Sequence, residues 1–221
     1  MRRLLIVALP ILTILLFLTT GCKEKTITGE GPNTQTIRDV SDFTKLDIEG
    51  GYKINVKLGD KKSIKIVAQA NIIPYILTDV SRGKLSIQND DSVKLVYNDT
   101  PSIMITVPSL TDISLNGASN ITIGNISNES LALTTQGHHQ AILSGKTSKL
   151  VITSHGDNEV HAENLEAVNT TIEIHGSSTV FTKTTNDLDA KINGFGKIGY
   201  VGVPNNIKQK ISGNGEIKRV Q

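Results

Sequence analysis

Five histidines are the residues of this 221-residue chain whose type and spacing best suit metal chemistry, and they are His138, His139, His155, His161 and His175. His155 and His175 each stand directly before a glycine of a repeat described below. On adjacent turns of a stacked fold their rings would be close enough to share a metal ion, whose bonds to imidazole nitrogen are about 2.0–2.1 Å long. Asp157 is the nearby candidate for a third ligand.

The other interpretation of these histidines is a ladder of solvated polar side chains beside a turn. The position before the glycine is polar in every repeat, its residues being Asn116, Gln136, His155, His175, Asn193 and Ser212. We therefore predict no metal site and no cofactor, and keep metal binding by His155 and His175 as an open alternative.

Paired carboxylates are the second chemistry to consider, since sugar-cleaving enzymes hold two of them close together. In stacked repeats the pair would appear as acids at equal or adjacent positions of neighbouring repeats. Three places after the glycine the residues are Asn120, Gln140, Glu159, Thr179, Lys197 and Glu216, with no neighbouring acids. We therefore predict no catalytic residue, and a metal-dependent or sugar-cleaving enzyme is the weaker alternative.

Stacking of a sugar or a base would need exposed aromatic side chains, and the chain has no Trp. Ile142 and Phe181 share an outward position five places after the glycine, where they could form a small apolar contact patch. An isolated surface apolar residue is also ordinary.

The single cysteine, Cys22, follows a leader with a basic start and an apolar run from Leu4 to Leu18. That run is too short for a comfortable membrane span and is typical of a secretory signal. A small residue, Gly21, directly before the cysteine resembles a bacterial lipoprotein signal. We predict that residues 1–21 are a lipoprotein signal peptide and that Cys22 carries the lipid, with non-lipidated export or an uncleaved anchor as alternatives.

Removal of the leader would leave 21 basic and 21 acidic residues, because Arg2 and Arg3 are its only charged side chains. This balance argues against nucleic acid as a partner. Residues 22–37 show no sustained apolar periodicity and contain Gly-Glu-Gly-Pro, so we predict a flexible tether there. The folded domain would then span residues 38–221.

A glycine that recurs at Gly117, Gly137, Gly156, Gly176, Gly194 and Gly213 marks the elements that must position these side chains. The period of about 19 residues indicates stacked structural units. Apolar residues alternate on both sides of the glycine, for example Ile172 and Ile174 before Gly176 and Val180 after it. Alternation with period two predicts strands on either side of a turn.

A unit of this kind has one apolar face and must bury it against its neighbours, which favours an all-β, single-stranded parallel β-helix, a solenoid with rungs of about 19 residues. The alternative is an antiparallel sandwich with regularly spaced turns. Residues 40–108 also alternate but without a steady period. There we expect longer turns or insertions, a short helix or loop around Ile72 to Tyr75, and a divergent first rung at Gly50 that could serve as a cap.

Several segments resemble a known family. They are Phe-x-x-Leu-x-Ile-x-Gly at 43–50, Gly-Lys-Leu-x-Ile at 83–87, Ile-x-Ile-x-Val-Pro-x-Leu at 103–110 and Gly-Ala-Ser-Asn-Ile at 117–121. Together with the leader they are similar to the putative auto-transporter adhesin head GIN domain family, a domain of unknown function in envelope lipoproteins. The resemblance implies a right-handed β-helix over roughly 38–221, and it brings no catalytic residue. Phe195, between Gly194 and Gly196, departs from the small or polar residue that the family favours there.

From these observations we expect a non-catalytic lipoprotein of the bacterial cell envelope, lipid-anchored at Cys22 in the outer membrane. Its polar faces would serve as an adhesin or protein-interaction module, with a protein or a surface glycan as the partner. The alternative is a periplasmic envelope sensor or scaffold subunit.

Overall fold

The computed structural model describes residues 25–220, which form a β-solenoid of about five turns with coils of about 20 residues. Within that range no helix is suited to crossing a membrane. The elements in chain order are β1 (Lys25–Thr28), β2 (Asn33–Arg38), β3 (Lys45–Gly50), β4 (Lys53–Leu58), β5 (Ser63–Gln69), a 3₁₀ helix (Ile73–Tyr75), β6 (Ile76–Ser81), β7 (Lys84–Asn89), β8 (Val93–Val96), β9 (Ser102–Val107), β10 (Asp112–Gly117), β11 (Asn120–Gly137), β12 (Gln140–Gly156), β13 (Glu159–Gly176), β14 (Thr179–Gly194), β15 (Lys197–Val201), β16 (Asn206–Gly213) and β17 (Glu216–Arg219).

The glycine repeat sets the register in which successive rungs of the solenoid pair. Each repeat glycine lies beside the next one in a parallel ladder, so Gly137 pairs with Gly156 and Gly156 with Gly176. Equivalent side chains therefore stack, and the inward ones fill the core: Ile152, Ile172 and Ala190 follow one another at 0% exposure. The predicted parallel β-helix is confirmed, and the antiparallel sandwich is excluded for this half of the chain.

The corner glycines are required by close approach as well as by conformation. Gly156 has φ of +103°, where a Cβ is strained. A Cβ added there would lie 2.5 Å from the carbonyl oxygen of Gly137 on the neighbouring rung. The repeat glycine therefore cannot carry a side chain while the rungs keep the spacing of a β-ladder, about 4.8 Å.

The first half of the chain does not stack in chain order. β3 lies between β7 and β10, and β4 lies between β9 and β11. The chain therefore builds its first rung, leaves it, forms a layer beneath it with β7 and β9, and returns above it with β10. The expectation that the first rung could act as a cap is wrong, because that rung has a neighbour on each side.

Antiparallel strands close this end of the solenoid instead. β6 pairs antiparallel with β7, and β2 pairs antiparallel with β5, which itself runs antiparallel to β9. The side chains at this end are covered, with Ile66, Ile72 and Ile76 all at 0% exposure. The expected short helix around Ile72 to Tyr75 is present as the 3₁₀ helix.

The segment predicted to be a flexible tether forms two strands within the described residues. β1 pairs in parallel with β8, and β2 joins the sheet through β5. Side chains also hold the connection between them, since Asn98 Nδ2 donates to the carbonyl of Gly29 at 2.6 Å and Asn71 Nδ2 to that of Thr28 at 2.8 Å. Local periodicity could not reveal these strands because their partners lie far away in sequence. The predicted signal peptide and Cys22 lie outside the described residues.

The corner geometry predicts unequal costs for two glycine substitutions. Gly156→Ala should lower the free energy of unfolding by about 2 kcal/mol or more, because positive φ and the Gly137 carbonyl both oppose a Cβ. In a domain of this size that corresponds to a fall of about 4 °C or more in Tm. Gly124→Ala is the matched control, since its Cβ would meet nothing nearer than Ser144 Oγ at 3.8 Å. Equal melting temperatures for the two variants in circular dichroism would contradict the stacking of the corners.

Candidate functional site

The two histidines singled out in the sequence are neighbours. His155 and His175 are partners in the ladder between β12 and β13, and their rings stack with centroids 4.7 Å apart and planes 7° from parallel. His155 is exposed, and Nε2 of His175 lies 3.2 Å from Glu173 Oε1. The pair therefore forms part of a polar ladder on the outside of the corner.

The described residues contain no group of three or more His, Cys, Asp or Glu side chains arranged to hold a metal ion. Asp157, the candidate third ligand, lies instead beside His138, with Oδ2 3.7 Å from His138 Nδ1. Both of these side chains are well exposed. The two histidines are thus brought together, but Asp157 faces the neighbouring rung below them.

His139 has a structural role at the corner. The ring is 3% exposed, its Nδ1 accepts a hydrogen bond from the backbone N–H of Ser119 at 3.0 Å, and its Nε2 lies 3.0 Å from the carbonyl of Gln136. These partners specify a neutral ring that carries its proton on Nε2. Burial lowers the pKa of His139, which keeps the ring neutral.

His139 belongs to an internal ladder two places after the glycine, formed by Ser119, His139, Asn158 and Ser178. In this ladder each side chain accepts a hydrogen bond from the backbone N–H of the equivalent residue one rung below. Asn158 Oδ1 accepts from His139 N–H at 2.9 Å, and Ser178 Oγ accepts from Asn158 N–H at 3.1 Å. Buried backbone donors at the corner are thereby satisfied. This ladder was not predicted from the sequence, although its polar residues share one offset from the repeat glycine.

His161 lies on an outer face between two carboxylates. Its Nε2 is 3.1 Å from Glu159 Oε1 and its Nδ1 is 3.0 Å from Glu163 Oε1, and the ring stacks on Phe181 with centroids 5.4 Å apart. Burial tends to lower the pKa of His161, but the hydrogen bonds to Glu163 and Glu159 outweigh it and raise that pKa above its usual value. Ile142 precedes His161 in the same row, so the outward position of Ile142 and Phe181 is confirmed.

A concave surface lies elsewhere, on the outer face of β2, β5, β9, β4 and β11, where a cleft of about 780 Å³ opens to solvent. The strand registers place one row of outward side chains across these five strands. Met104 and Ile37 supply its apolar surface, 43% and 71% exposed. The row consists of Ile37, Lys65, Met104, Asn55 and Thr122.

Three lysines surround Met104 and line the cleft, which we call the lysine cleft: Lys53 and Lys57 on β4 and Lys65 on β5. None of the three forms an ion pair with a carboxylate of residues 25–220. Strand geometry places the Cα atoms of Lys53 and Lys57 about 13 Å apart and that of Lys65 about 12 Å from either. The cleft therefore presents three separated positive charges around an apolar centre.

Comparison with known proteins identifies the family. The family model described as putative auto-transporter adhesin, head GIN domain, matches residues 42–204. The chain belongs to the head GIN domain family. The resemblance inferred from the sequence is thereby confirmed. No curated protein matches the chain.

Solved structures show the same fold at low sequence identity. A putative adhesin from Bacteroides fragilis has a TM-score of 0.72 and 22% identity, over 88% of this chain and 100% of its own. A putative adhesin from Parabacteroides merdae has a TM-score of 0.58 and 18% identity, over 89% and 100%. A putative lipid binding protein from Parabacteroides distasonis has a TM-score of 0.58 and 19% identity, over the same shares.

The lysine cleft of this head GIN domain was not found from sequence. The alternation of Lys53, Asn55 and Lys57 shows that these side chains share one face. Nothing in the repeat, however, places Lys65 and Met104 beside them, because β5 and β9 join through antiparallel pairing outside the glycine register.

The polar-ladder interpretation of the histidines predicts that His155→Asn/His175→Asn leaves the domain metal-free and equally stable. Asparagine already occupies this position at Asn116 and Asn193, so the backbone accepts it. Two stacked imidazoles without a third strong ligand should hold zinc only weakly. The measurement is the zinc content of dialysed wild-type protein and the Tm of both proteins. One zinc per chain in the wild type, absent from the double variant, would place a metal site here after all.

Proposed function

We propose that this head GIN domain protein is a non-catalytic adhesin of the bacterial cell envelope that binds an extended anionic partner through the lysine cleft. The family and the fold of its adhesin neighbours support the adhesin role. The observation that carries the proposed binding mode is the cleft itself, where Lys53, Lys57 and Lys65 have no acidic partner among the described residues. Unpaired lysines around an exposed methionine favour a ligand with both negative charge and apolar contact.

The separation of the lysines defines the shape of the ligand. Side chains whose Cα atoms are about 12–13 Å apart suit several anionic groups along a chain better than a single small anion. An acidic protein segment and an acidic surface glycan share this chemistry. The pairing of β4 with β9 and of β9 with β5 fixes the relative positions of the strands that carry the lysines, which reduces the ordering cost of binding.

A second part of the proposal is that Cys22 carries the lipid anchor and that the protein is attached to the outer membrane. The support is the leader sequence before Cys22. Because β1 begins at Lys25, at most about 11 Å of chain separates the lipid-bearing residue from the folded domain. The solenoid would then stand close to the membrane surface and not at the end of a long tether.

The lysine cleft is tested with Lys53→Glu/Lys57→Glu in the full-length protein. Binding to immobilised polyglutamate and to polygalacturonate, measured at low and physiological salt, should weaken about tenfold or more, because two attractive charges become repulsive. The two probes separate a protein-like from a glycan-like ligand. Lys94→Glu/Lys149→Glu is the matched control, since both lysines are exposed and lie outside the cleft.

If the cleft variant and the control bind both polyanions as well as wild type does, the lysine cleft is not the adhesive surface. If both variants weaken equally, attraction is a property of overall charge and not of the cleft.

The lipid anchor is tested with Cys22→Ala. This change should abolish incorporation of labelled fatty acid and leave either an uncleaved precursor or a soluble protein, because the thiol that accepts the lipid is gone. Cys22→Ala cells should also lose the detergent-phase partitioning of wild type. Labelled fatty acid in the variant at the wild-type level would overturn this part of the proposal.

A further inference from the structure

The two ends of the solenoid differ in how their outermost strands pair. The end built by β2, β5 and β6 is closed by antiparallel strands over a buried core. At the other end the last strands are β16, which pairs with β14, and β17, which pairs with β15. Among the described residues neither strand has a partner on its second side. We call β16 and β17 together the C-terminal edge.

The core is open at the C-terminal edge. Ile207 and Ile211 continue the inward columns of Leu188 and Ile192, which are 2% and 0% exposed. Ile207 and Ile211 are nevertheless 41% and 43% exposed, because no strand of residues 25–220 covers them. Every residue of β16 is exposed. The last rung therefore presents two inward-facing aliphatic side chains that another strand could bury.

The backbone of β16 offers hydrogen bonds on the same side. In a parallel ladder, alternate residues direct their N–H and C=O groups to opposite neighbours. Asn214 N–H donates to the carbonyl of Gly194 on the previous rung at 3.0 Å. The even-numbered residues of β16 point the same way as Asn214, so Ile207, Gln209 and Ile211 direct their N–H and C=O groups to the open side. These groups are a template for one more strand.

The charge of the last rung indicates which strand would fit. Residues 206–219 contain four basic residues, Lys208, Lys210, Lys218 and Arg219, and a single acidic one, Glu216. Nζ of Lys218 lies 3.2 Å from Glu216 Oε1, so Lys208 and Lys210 dominate the outward face of β16. A second copy in antiparallel register, with Ile207 opposite Ile211, would place Lys208 against Lys210, and like charges directly opposite are destabilising.

We propose that the C-terminal edge is a docking site for an extended segment of a partner protein in which aliphatic and acidic residues alternate. The segment adds to β16 as the next strand, its backbone bonding Ile207, Gln209 and Ile211. Its aliphatic side chains cover Ile207 and Ile211, and its carboxylates pair with Lys208 and Lys210. This mode of recognition takes affinity from main-chain hydrogen bonds and specificity from alternate side chains. It is independent of the lysine cleft.

The probe is a labelled ten-residue amidated peptide that alternates valine and glutamate. Its binding to the full-length protein is measured by fluorescence anisotropy. The peptide should bind, whereas one that alternates valine and lysine should not. A third peptide, N-methylated on alternate residues of the valine and glutamate sequence, lacks donors on one edge. It is made in two versions, one methylated on the valines and one on the glutamates, and the version whose methyl groups face β16 should bind at least tenfold more weakly than the other.

Variants of the protein locate the binding. Gln209→Pro removes an N–H from the open side of an edge strand, a position that tolerates proline, and should weaken binding about tenfold or more while Tm stays near that of wild type. Lys208→Glu/Lys210→Glu should also weaken it. Because the lysine cleft also attracts acidic peptides, the edge variants are compared in the Lys53→Glu/Lys57→Glu background, where the cleft no longer contributes. Lys94→Glu/Lys149→Glu in that background is the charge-matched control and should keep the binding.

Several results would overturn the inference. One is the absence of binding by the valine and glutamate peptide to wild type. Another is binding that survives both Gln209→Pro and N-methylation, or that disappears in Lys53→Glu/Lys57→Glu. A doubling of the mass of wild type in sedimentation, reversed by Gln209→Pro, would show that a second copy and not a partner strand covers the edge.

Discussion

Close stacking of the corner glycines is the constraint on which the rest of this structure depends. At Gly156 the backbone has positive φ and lies so near the Gly137 carbonyl that a Cβ would come within 2.5 Å of it. Glycine at each corner lets successive rungs keep ladder spacing on both sides of the bend. The inward columns, such as Ile152 on Ile172, pack only because the corners are in register.

The interior of the corner adapts to this constraint in two ways. In the middle of the solenoid, Ser119, His139, Asn158 and Ser178 accept hydrogen bonds from the backbone one rung below. At the last two corners a glycine stands at the same offset, and a Cβ on Gly196 would lie 2.7 Å from Ile174 Cγ2. The same corner is thus filled either by hydrogen-bonding side chains or by an aliphatic side chain that packs against glycine. The buried His139 is one of the hydrogen-bonding side chains and has a structural role.

A filled interior leaves the outer faces and the two ends for function. The lysine cleft forms where strands outside the repeat widen one face, and it places charge and apolar surface together. The C-terminal edge is exposed because no strand of the described residues pairs with the open side of β16. Under the two proposals, one surface binds an anionic chain through side chains and the other binds a strand through its backbone, so a single domain would engage two partners.

The sequence by itself determined the solenoid, its period and the pairing of His155 with His175. A repeat of fixed length brings equivalent residues together wherever it folds, so the glycine spacing and the alternation around it suffice. Residues 25–108 lack that periodicity. The insertion of β3 between β7 and β10, the strands formed by residues 25–38 and the meeting of Lys53 with Lys65 follow from pairings between segments distant in sequence. Only the tertiary structure decided them, because many strands with alternating side chains can pair, and the choice depends on which combination of pairings buries the most apolar surface.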